Sequence, residues 1–277
     1  MSIFDASVII STYNQPQWLL KVLWSYDTQT TKNFEILICD DGSTKETKKI
    51  IEDFVKTTQL SVKHLWQEDN GFRKSKILNK GILEATSDYL IFTDGDCIAR
   101  QDFVETHLKL KDIQYCLSGG YFKLPESISE SITRDDIISQ NCFDLKWLLE
   151  RGLNKNFKTN KLTSFGFKSW FLNNLTTTKA TFDGMNVSGY KDDILAVNGF
   201  DERMHYGGED RELGERLINS GIKFKQIRYS AICVHLHHSR PYANDEKASL
   251  NKKIRTNTKK KRLAWTNYGI KKVKSAF

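Results

Sequence analysis

The stretch Tyr89-Leu90-Ile91-Phe92-Thr93-Asp94-Gly95-Asp96-Cys97 indicates the fold, because a short apolar run ends there at two carboxylates one residue apart. The run predicts a buried strand, and Asp-Gly-Asp predicts the turn that leaves its carboxyl end. In an open α/β sheet, ligands bind at this edge. The two carboxylates repel each other, and a divalent cation such as Mg²⁺ or Mn²⁺ would offset that repulsion. The alternative is a plain Asp-Gly turn whose second aspartate is solvated.

Strand and helix patterns alternate at short, regular intervals around this stretch. β-Rich runs lie at 6–12, 34–39, 60–66 and 89–93, and apolar residues at helical spacing lie at 18–26, 50–55 and 74–85. This alternation predicts an α/β fold with a mostly parallel sheet and helices on both of its faces. Right-handed crossovers then place the carboxyl ends of the strands on one edge.

Polar clusters follow each of these strands. They are Thr12-Tyr13-Asn14, Asp40-Asp41-Gly42-Ser43, Asp69-Asn70-Gly71-Phe72-Arg73 and Asp94-Gly95-Asp96. Acids, an arginine and an aromatic ring suit a nucleotide with its metal ion. The sequence has no GxGxxG after the first strand and no GxxxxGK[ST], so neither the dinucleotide fingerprint nor the P-loop applies.

Two further groups of chemically active side chains lie downstream. Gly207-Gly208 precede Glu209-Asp210 at the start of an amphipathic helix. Acids stabilise a helix N-terminus for structural reasons, but two of them behind a flexible Gly-Gly also suit a carboxylate held toward a substrate. The run His235-Leu236-His237-His238 follows a predicted strand, and three histidines in four residues favour metal or phosphate ligation.

Residues 98–182 show the weakest pattern in the chain. A strand is predicted at 119–124 and a helix at 131–151. Residues 152–182 are rich in Lys, Asn, Thr and Phe. Three interpretations stay open for them, namely a mobile flap over the site, a surface that meets a sugar or lipid acceptor, and a loop whose aromatic rings lie in the core.

Composition indicates a globular protein rather than a disordered or membrane-spanning one. The chain has 277 residues, of which 39% are apolar and 27% charged, and no apolar run approaches the length of a membrane span. The N-terminus lacks the pattern of a signal peptide. Five scattered cysteines form no CxxC pair, which favours reduced thiols over a zinc cluster or disulfides. A cytoplasmic protein is expected.

Four blocks of the sequence, taken together, resemble a GT-A-fold glycosyltransferase of the inverting family 2 type. They are 8–14, 40–43, 94–96 and 183–240. The last block also resembles the C-terminal region of β-1,4-galactosyltransferases, with Gly207-Gly208-Glu209-Asp210 and a downstream His238-Ser239-Arg240. The resemblance implies three parts: a Rossmann-like nucleotide-sugar-binding half at 1–97, an acceptor-binding and catalytic half of the same domain at 98–250, and a basic amphipathic tail at 251–277.

The resemblance also implies a role for each matching residue. The nucleotide-sugar group consists of Thr12, Tyr13, Asn14, Asp40, Asp41, Arg73, Lys76, Asn79, Asp94 and Gly95. The metal group consists of Asp96, His235 and His238, with His237 as a rival, because a His-X-His pair can also face one way on a strand. Carboxylate and imidazole together suit Mn²⁺, with Mg²⁺ as the alternative. The implied catalytic base is Asp210, and the acceptor group consists of Glu209, Tyr206, Gly208 and Asn186.

The implied reaction is an inverting, metal-dependent transfer of a hexose or N-acetylhexosamine. The donor is a UDP-sugar, and the acceptor is a hydroxyl of a surface glycan or glycolipid, such as lipooligosaccharide or capsule. One alternative is a nucleotidyltransferase, which should carry a Gly-rich phosphate loop after the first strand. The other is a non-catalytic sugar-nucleotide-binding protein, which should have lost one of the Asp-Gly-Asp, Glu-Asp and His elements. The sequence has no such loop and retains all three elements.

The basic residues of the chain are concentrated at its C-terminal end. The net charge is +8, and residues 251–277 contain ten Lys or Arg and no acid, so the rest of the chain is slightly acidic. Basic residues with interleaved aromatics bind nucleic acid or anionic membranes. Because acceptors of bacterial relatives in the resembled family are often lipid-linked, we favour the inner face of the cytoplasmic membrane over a solvated tail, and we expect no nucleic-acid partner.

Overall fold

The computed structural model describes residues 3–238 and 245–272, and every structural statement below concerns this part of the chain. The strands are β1 (Ala6–Thr12), β2 (Phe34–Asp40), β3 (Ser61–Trp66), β4 (Tyr89–Asp94), β5 (Cys97–Ala99), β6 (Tyr115–Ser118), β7 (Gly120–Lys123), β8 (Val187–Tyr190), β9 (Lys223–Gln226) and β10 (Ile232–His235). The helices are α1 (Pro16–Asp27), α2 (Lys45–Val55), α3 (Lys74–Glu84), α4 (Phe103–Leu110), α5 (Glu126–Ser131), α6 (Arg134–Ile138), α7 (Leu145–Glu150), α8 (Asn160–Thr163), α9 (Gly166–Leu175), α10 (Lys191–Ala196), α11 (Glu209–Asn219) and α12 (Asp245–Lys260).

The main sheet has seven strands in the order β3-β2-β1-β4-β8-β6-β9. Strands β1 to β4 are parallel, and β8 runs antiparallel between β4 and β6. The predicted α/β fold with a mostly parallel sheet is therefore confirmed. The parallel strands end together, so the carboxyl ends of β1, β2 and β4 form one edge.

Alternating residues of each central strand pack into cores on the two faces of this sheet. Val8 and Ile10 belong to one apolar cluster with side chains of α1 and α2. Ile9 belongs to the other, with side chains of α3 and α11. Because successive side chains of a strand point to opposite faces, helices cover both sides, as predicted.

A second, three-stranded sheet in the order β5-β10-β7 joins distant parts of the chain. Strand β10 pairs antiparallel with β5, so that His235 lies opposite Cys97. The amide of Leu236 donates a hydrogen bond of 2.9 Å to the carbonyl of Asp96. This register brings the histidine-rich segment beside the Asp-Gly-Asp turn.

The region 98–182 departs in part from its prediction. The predicted strand is confirmed as β7. The predicted helix at 131–151 is wrong, since α6, a 3₁₀ turn and α7 occupy that range as separate pieces. The reason is local, because Thr133 and Asp136 form a capping box that starts a new helix and Gln140 adopts a left-handed backbone conformation with φ of +63°.

The described part of the basic tail is docked onto the domain. Helix α12 crosses the predicted boundary at 250/251 and packs against α11. The hydroxyl of Thr258 donates to Glu212 at 2.8 Å, and Ile270 packs against the apolar cluster that contains Ile9. Residues 251–272 therefore do not form a separate tail. Within the described residues, no helix is both long and apolar enough to cross a membrane.

Candidate active site

A cavity of about 350 Å³ opens at the carboxyl edge of the parallel strands. Segments from seven parts of the chain line it. They include Ser11, Thr12, Tyr13, Asp41, Lys74, Asp94, Gly95, Asp96, Asp183, Gly184, Tyr206, Gly208, Glu209, Asp210, His235 and His238. No residue of 98–182 is among those that line the cavity, so the described structure does not support a flap from that region over the site.

Asp96 and two histidines form a compact group at one end of the cavity. The carboxylate of Asp96 lies 3.0 Å from Nε2 of His238 and 3.9 Å from Nε2 of His235. The Nδ1 atom of His235 is 2.8 Å from the carbonyl of Leu236, which fixes Nε2 toward Asp96. Burial would raise the pKa of Asp96, but the hydrogen bond with His238 and the charge of His235 hold that pKa below its ordinary value.

The third histidine of the cluster faces away. The side chain of His237 is 49% exposed, lies 3.8 Å from Glu126 and does not line the cavity. The structure thus separates the rival ligands by direction, with His235 and His238 toward Asp96 and His237 toward solvent.

The chemistry of this group fits a transition-metal ion that accepts both oxygen and imidazole ligands. One carboxylate and two imidazoles are ligands that Mn²⁺ accepts. Cys97 also lies close, and its Sγ is 3.3 Å from a carboxylate oxygen of Asp96. Burial raises the pKa of the Cys97 thiol well above its ordinary value. Asp96, His235 and His238 are the candidate ligands, because the two imidazoles lie 3.9 and 3.0 Å from the Asp96 carboxylate and this set of ligands suits Mn²⁺.

Lys74 is a central charge of the site that the sequence analysis missed. Its ammonium lies 2.6 Å from the carboxylate of Asp94, which also accepts a hydrogen bond of 2.6 Å from the hydroxyl of Ser11. Although burial opposes a positive charge, the carboxylates of Asp94, Glu209 and Asp210 raise the pKa of Lys74.

The predicted lysine, Lys76, is exposed and does not line the cavity. Helical spacing could have indicated this. Ile77 and Leu78 face the core, and a residue three or four positions before them lies on the same face of the helix. That residue is Lys74, whereas Lys76 lies on another side.

The two acids of the Gly-Gly-Glu-Asp segment begin helix α11. Gly208 has φ of +91°, a conformation that glycine adopts without strain. The carboxylate of Asp210 accepts hydrogen bonds from the amides of Gly184 at 3.1 Å and Arg211 at 2.7 Å. The carboxylate of Glu209 accepts one from Gly207 at 3.0 Å. Asp210 and Glu209 therefore both line the cavity, and the carboxylate of Glu209 is also tied to the loop through Gly207.

Burial raises the pKa of Glu209 to about 7, although Lys74 acts in the opposite direction. At pH values between the ordinary pKa of a glutamate and pH 7, Glu209 thus keeps a proton in the folded protein that it releases in the unfolded chain. Stability must fall as pH rises through that window. We expect Glu209→Gln to gain up to roughly 3 kcal/mol of unfolding free energy relative to the wild type between pH 4.5 and pH 8, because a shift of one pKa unit corresponds to about 1.4 kcal/mol.

Urea unfolding at several pH values measures this difference. Glu150→Gln is the matched control, because Glu150 is exposed to solvent. If the difference between Glu209→Gln and the wild type did not change with pH, Glu209 would not bind the proton.

The residues predicted for the nucleotide divide into two groups. Thr12, Tyr13 and Asp41 line the cavity, and burial raises the pKa of Asp41. Asp40 does not line it, since one oxygen accepts from the amide of Ser43 at 2.8 Å and the other lies 3.0 Å from His64. Of the adjacent aspartates, only Asp41 lines the cavity, and its two oxygens also accept hydrogen bonds from Gln67 and from the amide of Arg73.

Asn14 and Arg73 are also bound within the protein. The side chain of Asn14 accepts from the amide of Thr44 at 2.9 Å and does not line the cavity. The amide of Arg73 donates to Asp41 at 2.7 Å, and its guanidinium donates to the carbonyl of Glu68. Arg73 thus positions Asp41 and does not itself line the cavity.

Asn79 and Asn186, which the sequence predicted to contact the donor or acceptor, lie away from the cavity and bind within the protein. Asn79 is buried and exchanges hydrogen bonds with the amide and carbonyl of Phe200 at 2.7 and 2.9 Å. Asn186 is buried, donates to the carbonyl of Gly120 at 2.7 Å and lies 3.0 Å from Nε2 of His107. Neither lines the cavity. Buried amides that join backbone segments share the polar composition of ligand-binding amides, which is why the sequence could not separate the two roles.

Helix α12 holds the loop that carries Tyr206, Gly207 and Gly208. The side-chain nitrogen of the buried Asn251 lies 2.8, 3.2 and 2.9 Å from the carbonyl oxygens of His205, Tyr206 and Gly207, which share its two hydrogens. The side-chain oxygen of Asn251 accepts from the amide of His205 at 3.1 Å. One side chain thus fixes the backbone just before Glu209 and Asp210, a function that the charge pattern of the tail did not indicate.

We expect Asn251→Ala to loosen this loop. Stability should fall by roughly 1–3 kcal/mol, because a buried hydrogen-bonded amide is removed and its partners lose their hydrogen bonds. The transfer rate should fall about tenfold through misplacement of the loop. Steady-state kinetics and urea unfolding measure both effects, and Asn257→Ala, at an exposed position of the same helix, is the control. Equal rates for the two variants would contradict a positioning role.

Comparison with known proteins gives the family of this chain. Residues 7–163, more than half of it, match the sequence profile described as glycosyl transferase family 2. The chain belongs to glycosyl transferase family 2. Residues 173–239 of this family 2 enzyme match a second profile, described as the N-terminal domain of galactosyltransferase. The expected likeness to galactosyltransferases in the second half of the chain is therefore confirmed.

Curated relatives of this family 2 enzyme include a glucosyltransferase and two polysaccharide synthases. A validoxylamine A glucosyltransferase of Streptomyces hygroscopicus subsp. jinggangensis is 29% identical over 81% of this chain and 54% of its own length. The chondroitin synthase of Escherichia coli is 26% identical over 80% of this chain and 33% of its own length. The hyaluronan synthase of Pasteurella multocida is 27% identical over 80% of this chain and 23% of its own length. The chain spans about half or less of the length of these relatives.

Solved structures share the fold at low sequence identity. The mannosyltransferase PcManGT from Pyrobaculum calidifontis, in complex with GDP-Man and Mn²⁺, aligns with a TM-score of 0.59 at 17% identity over 86% of this chain and 58% of its own. S. aureus TarS 1–349 in complex with UDP-GlcNAc aligns with a TM-score of 0.56 at 16% identity over 86% and 60%. These likenesses support the GT-A fold.

The family assignment confirms that the chain is a glycosyltransferase enzyme. Of the alternatives, neither the nucleotidyltransferase nor the non-catalytic binding protein is supported. The donor, the metal dependence and the stereochemical course are separate questions.

Proposed function

We propose that this family 2 glycosyltransferase transfers a hexose or N-acetylhexosamine from a UDP-sugar to a hydroxyl of a glycan or glycolipid acceptor, with inversion. The observation that carries the proposal is the placement of two distinct groups in one cavity. Asp96, His235 and His238 form a metal-ligating group, and Asp210 offers a carboxylate at the start of a helix. A donor diphosphate and an acceptor hydroxyl need these two chemistries side by side.

The donor half of the site comes from the strand ends. Thr12 and Tyr13 line the nucleotide side, and Asp41 is the carboxylate available to the uracil or ribose. Asp94 faces the ribose, while Ser11 and Lys74 fix its carboxylate. Gly95 allows the turn to pack closely against Thr12, since a Cβ atom at position 95 would lie only 3.0 Å from the hydroxyl oxygen of Thr12.

Asp96, His235 and His238 would hold Mn²⁺, or Mg²⁺ as the alternative. When bound, the metal ion supplies positive charge that stabilises the leaving diphosphate. The ammonium of Lys74 lies 2.6 Å from the carboxylate of Asp94, and its positive charge opposes the effect of burial on the pKa of Glu209.

Asp210 acts as the general base in this proposal. It takes the proton of the acceptor hydroxyl while that oxygen forms a bond to the anomeric carbon and the bond to the diphosphate breaks. The amide of Gly184 aims the carboxylate, because it donates to one of its oxygens at 3.1 Å. Glu209 and Tyr206 contact the acceptor, with Gly208 giving the loop its conformation.

The relatives and the surface charge support the proposed acceptor and location. Chondroitin and hyaluronan synthases extend glycans, which supports a glycan or glycolipid acceptor here. Exposed lysines of 252–261 would contact the anionic inner face of the cytoplasmic membrane. This placement joins a cytoplasmic donor to a membrane-linked acceptor.

A donor panel tests the proposal. The full chain is incubated with Mn²⁺ and with UDP-glucose, UDP-galactose, UDP-N-acetylglucosamine or UDP-N-acetylgalactosamine, and slow release of UDP is scored without acceptor. GDP-mannose is the control donor for nucleotide selectivity, and EDTA is the control for metal dependence. Release from a UDP-sugar that EDTA abolishes supports the proposal.

Preferential hydrolysis of GDP-mannose would contradict the proposed donor, and full activity in EDTA would contradict the metal. The course of the reaction is read separately from the anomeric configuration of the product by NMR. Because the listed UDP-sugars carry an α linkage, inversion predicts a β-linked product, and an α-linked product would contradict it.

A further inference from the structure

Helix α9 carries its apolar side chains on the outer face. Phe167, Trp170, Phe171 and Leu175 lie at positions i, i+3, i+4 and i+8 of the helix and are 77%, 58%, 47% and 64% exposed. Residues at such spacing form one stripe on a helix. The rings of Phe167 and Trp170 stack with their centroids 5.5 Å apart. The stripe is therefore a defined aromatic surface.

The inner face of the same helix is polar. Ser169 is 7% exposed and its hydroxyl lies 3.3 Å from that of Ser230. The side chain of Asn173 donates to Ser230 at 2.9 Å and accepts from the amide of Tyr229 at 2.8 Å. A helix of a soluble domain normally buries its apolar stripe, so the polarity of α9 is reversed. Its attachment by hydrogen bonds leaves the apolar stripe to a partner outside the domain.

The segment that contains α9 is cationic. Residues 151–182 contain six Lys or Arg and no acid. Lys155, Lys158, Lys168 and Lys179 are exposed near the stripe in sequence, and Phe157 and Phe165 add exposed rings. We name the exposed side chains of 155–179 the aromatic-basic surface. Aromatic rings that enter the interface beside lysines that meet headgroups are the pattern of proteins bound to anionic bilayers.

We propose that the aromatic-basic surface binds the face of an anionic lipid bilayer, with the rings of α9 entering the headgroup region. Charge decides this occupant. Two copies of the chain meeting through this surface would oppose cation against cation, which disfavours self-association. An anionic bilayer complements both the charge and the apolar stripe.

The position of this surface suits an enzyme with a membrane-linked acceptor. The ammonium of Lys161, in the segment before α9, donates to the carbonyl of Tyr121 in β7 at 2.8 Å. The ring of Tyr121 lies 6.2 Å from the ring of His235. The surface is thus anchored to the three-stranded sheet that carries His235. Membrane binding itself needs no transfer activity, so its test is independent of the proposed donor and metal.

The tail and helix α9 would make different contacts with the bilayer. The tail offers cations at 252–261, but Ile270 packs into the core and Arg255 pairs with Glu215 at 2.6 Å. The tail therefore supplies attraction to anionic lipid, whereas the apolar insertion comes from α9.

Vesicle flotation of the full chain tests the proposal. Vesicles of phosphatidylcholine alone are compared with vesicles that also contain phosphatidylglycerol. We expect flotation only with the anionic vesicles. The triple variant Phe167→Ser, Trp170→Ser, Phe171→Ser should lower the partition coefficient by about tenfold or more, because it removes the apolar stripe and keeps every charge.

The matched control removes exposed apolar side chains from other surfaces. It carries Leu83→Ser, Ile113→Ser and Ile218→Ser, which replace residues that are 55%, 75% and 52% exposed. This control should float like the wild type. Equal flotation of the α9 variant and the wild type would overturn the proposal, as would equal binding to neutral and anionic vesicles.

A second measurement covers the case in which the triple variant is unstable. Brominated lipids should quench tryptophan fluorescence of the wild type, and Trp170→Phe should remove most of that quenching while it still floats. Unchanged quenching would overturn the proposal. A variant with Lys252, Lys253, Lys260 and Lys261 changed to Gln provides another outcome: if only this variant lost flotation, and the α9 variant did not, the proposal would be wrong. The proposal would also be wrong if the wild type did not float but formed a dimer that the α9 substitutions convert to monomers.

Discussion

We expect Asp210→Asn to lose transfer by about a thousandfold and to keep its affinity for the donor nucleotide, since general-base catalysis contributes about 10²–10⁴. The amide cannot take a proton from the acceptor. It can still accept one hydrogen bond, as the carboxylate does from the amide of Gly184. The loss should therefore fall on kcat, and calorimetric titration with UDP and Mn²⁺ should give a nearly unchanged Kd.

Asp192→Asn is the control for this experiment. Asp192 is an exposed acid in the first turn of α10, so it matches Asp210 in its place near a helix N-terminus but does not line the cavity. Its variant should turn over like the wild type. Transfer by Asp210→Asn at a similar rate would require another base, and Glu209 would be the first to examine.

The second large effect concerns the metal group. We expect His238→Ala to weaken Mn²⁺ binding at least about 100-fold, because the loss of even an outer-shell partner costs 10–100-fold. Asp96→Asn should have an effect of the same order, because it removes the proposed carboxylate ligand, which lies 3.0 and 3.9 Å from the Nε2 atoms of His238 and His235. Titration of Mn²⁺ followed by electron paramagnetic resonance measures free metal directly and does not depend on turnover.

The neighbouring histidine provides a close control. His237→Ala removes an imidazole from the same four-residue run, but that side chain is exposed and lies by Glu126. Its backbone contacts remain, including the carbonyl that accepts from the indole of Trp18 at 3.1 Å. Mn²⁺ affinity should be unchanged. If His237→Ala and His238→Ala weakened binding equally, the assignment of ligands by direction would be wrong.

The sequence predicted the elements that depend on periodicity. The strands around Val8, Leu37 and Ile91 read as buried runs because they are covered on both faces, and the structure confirms them. The Asp-Gly-Asp turn falls at the carboxyl end of β4 for the same reason. These features follow from hydrophobic pattern and from the geometry of parallel sheets.

The direction of polar side chains was less accessible to prediction. Lys74 and Lys76 differ only in their place on one helical turn, and Asp40 and Asp41 alternate across the end of a strand. In each pair, one residue lines the cavity and the other does not. Which residue of each pair lines the cavity depends on where the helix begins or the strand ends, and such boundaries are the least certain part of a sequence-based prediction.

The tail and the aromatic segment show a second limit. Ten cations indicated a surface property, but they did not reveal that Asn251 holds the Gly207–Gly208 loop or that Ile270 reaches the core. Aromatic residues at 157–171 allowed a core loop, a flap or a surface, and the structure places most of them at the surface. Composition fixes the kind of contact a segment can make, whereas the partner depends on tertiary packing.

The hold of α12 on the Gly207–Gly208 loop has a consequence for chains still on the ribosome. The strand-end residues of the donor side have been made by Asp96, but Asn251 follows roughly ten seconds or more later at the usual rates of synthesis. A nascent or prematurely terminated chain that has passed Asp210 but not Asn251 has the carboxylate of the proposed base on a loop that α12 does not yet hold. We therefore expect transfer activity to appear late in translation, after the segment that contributes no side chain to the cavity has emerged.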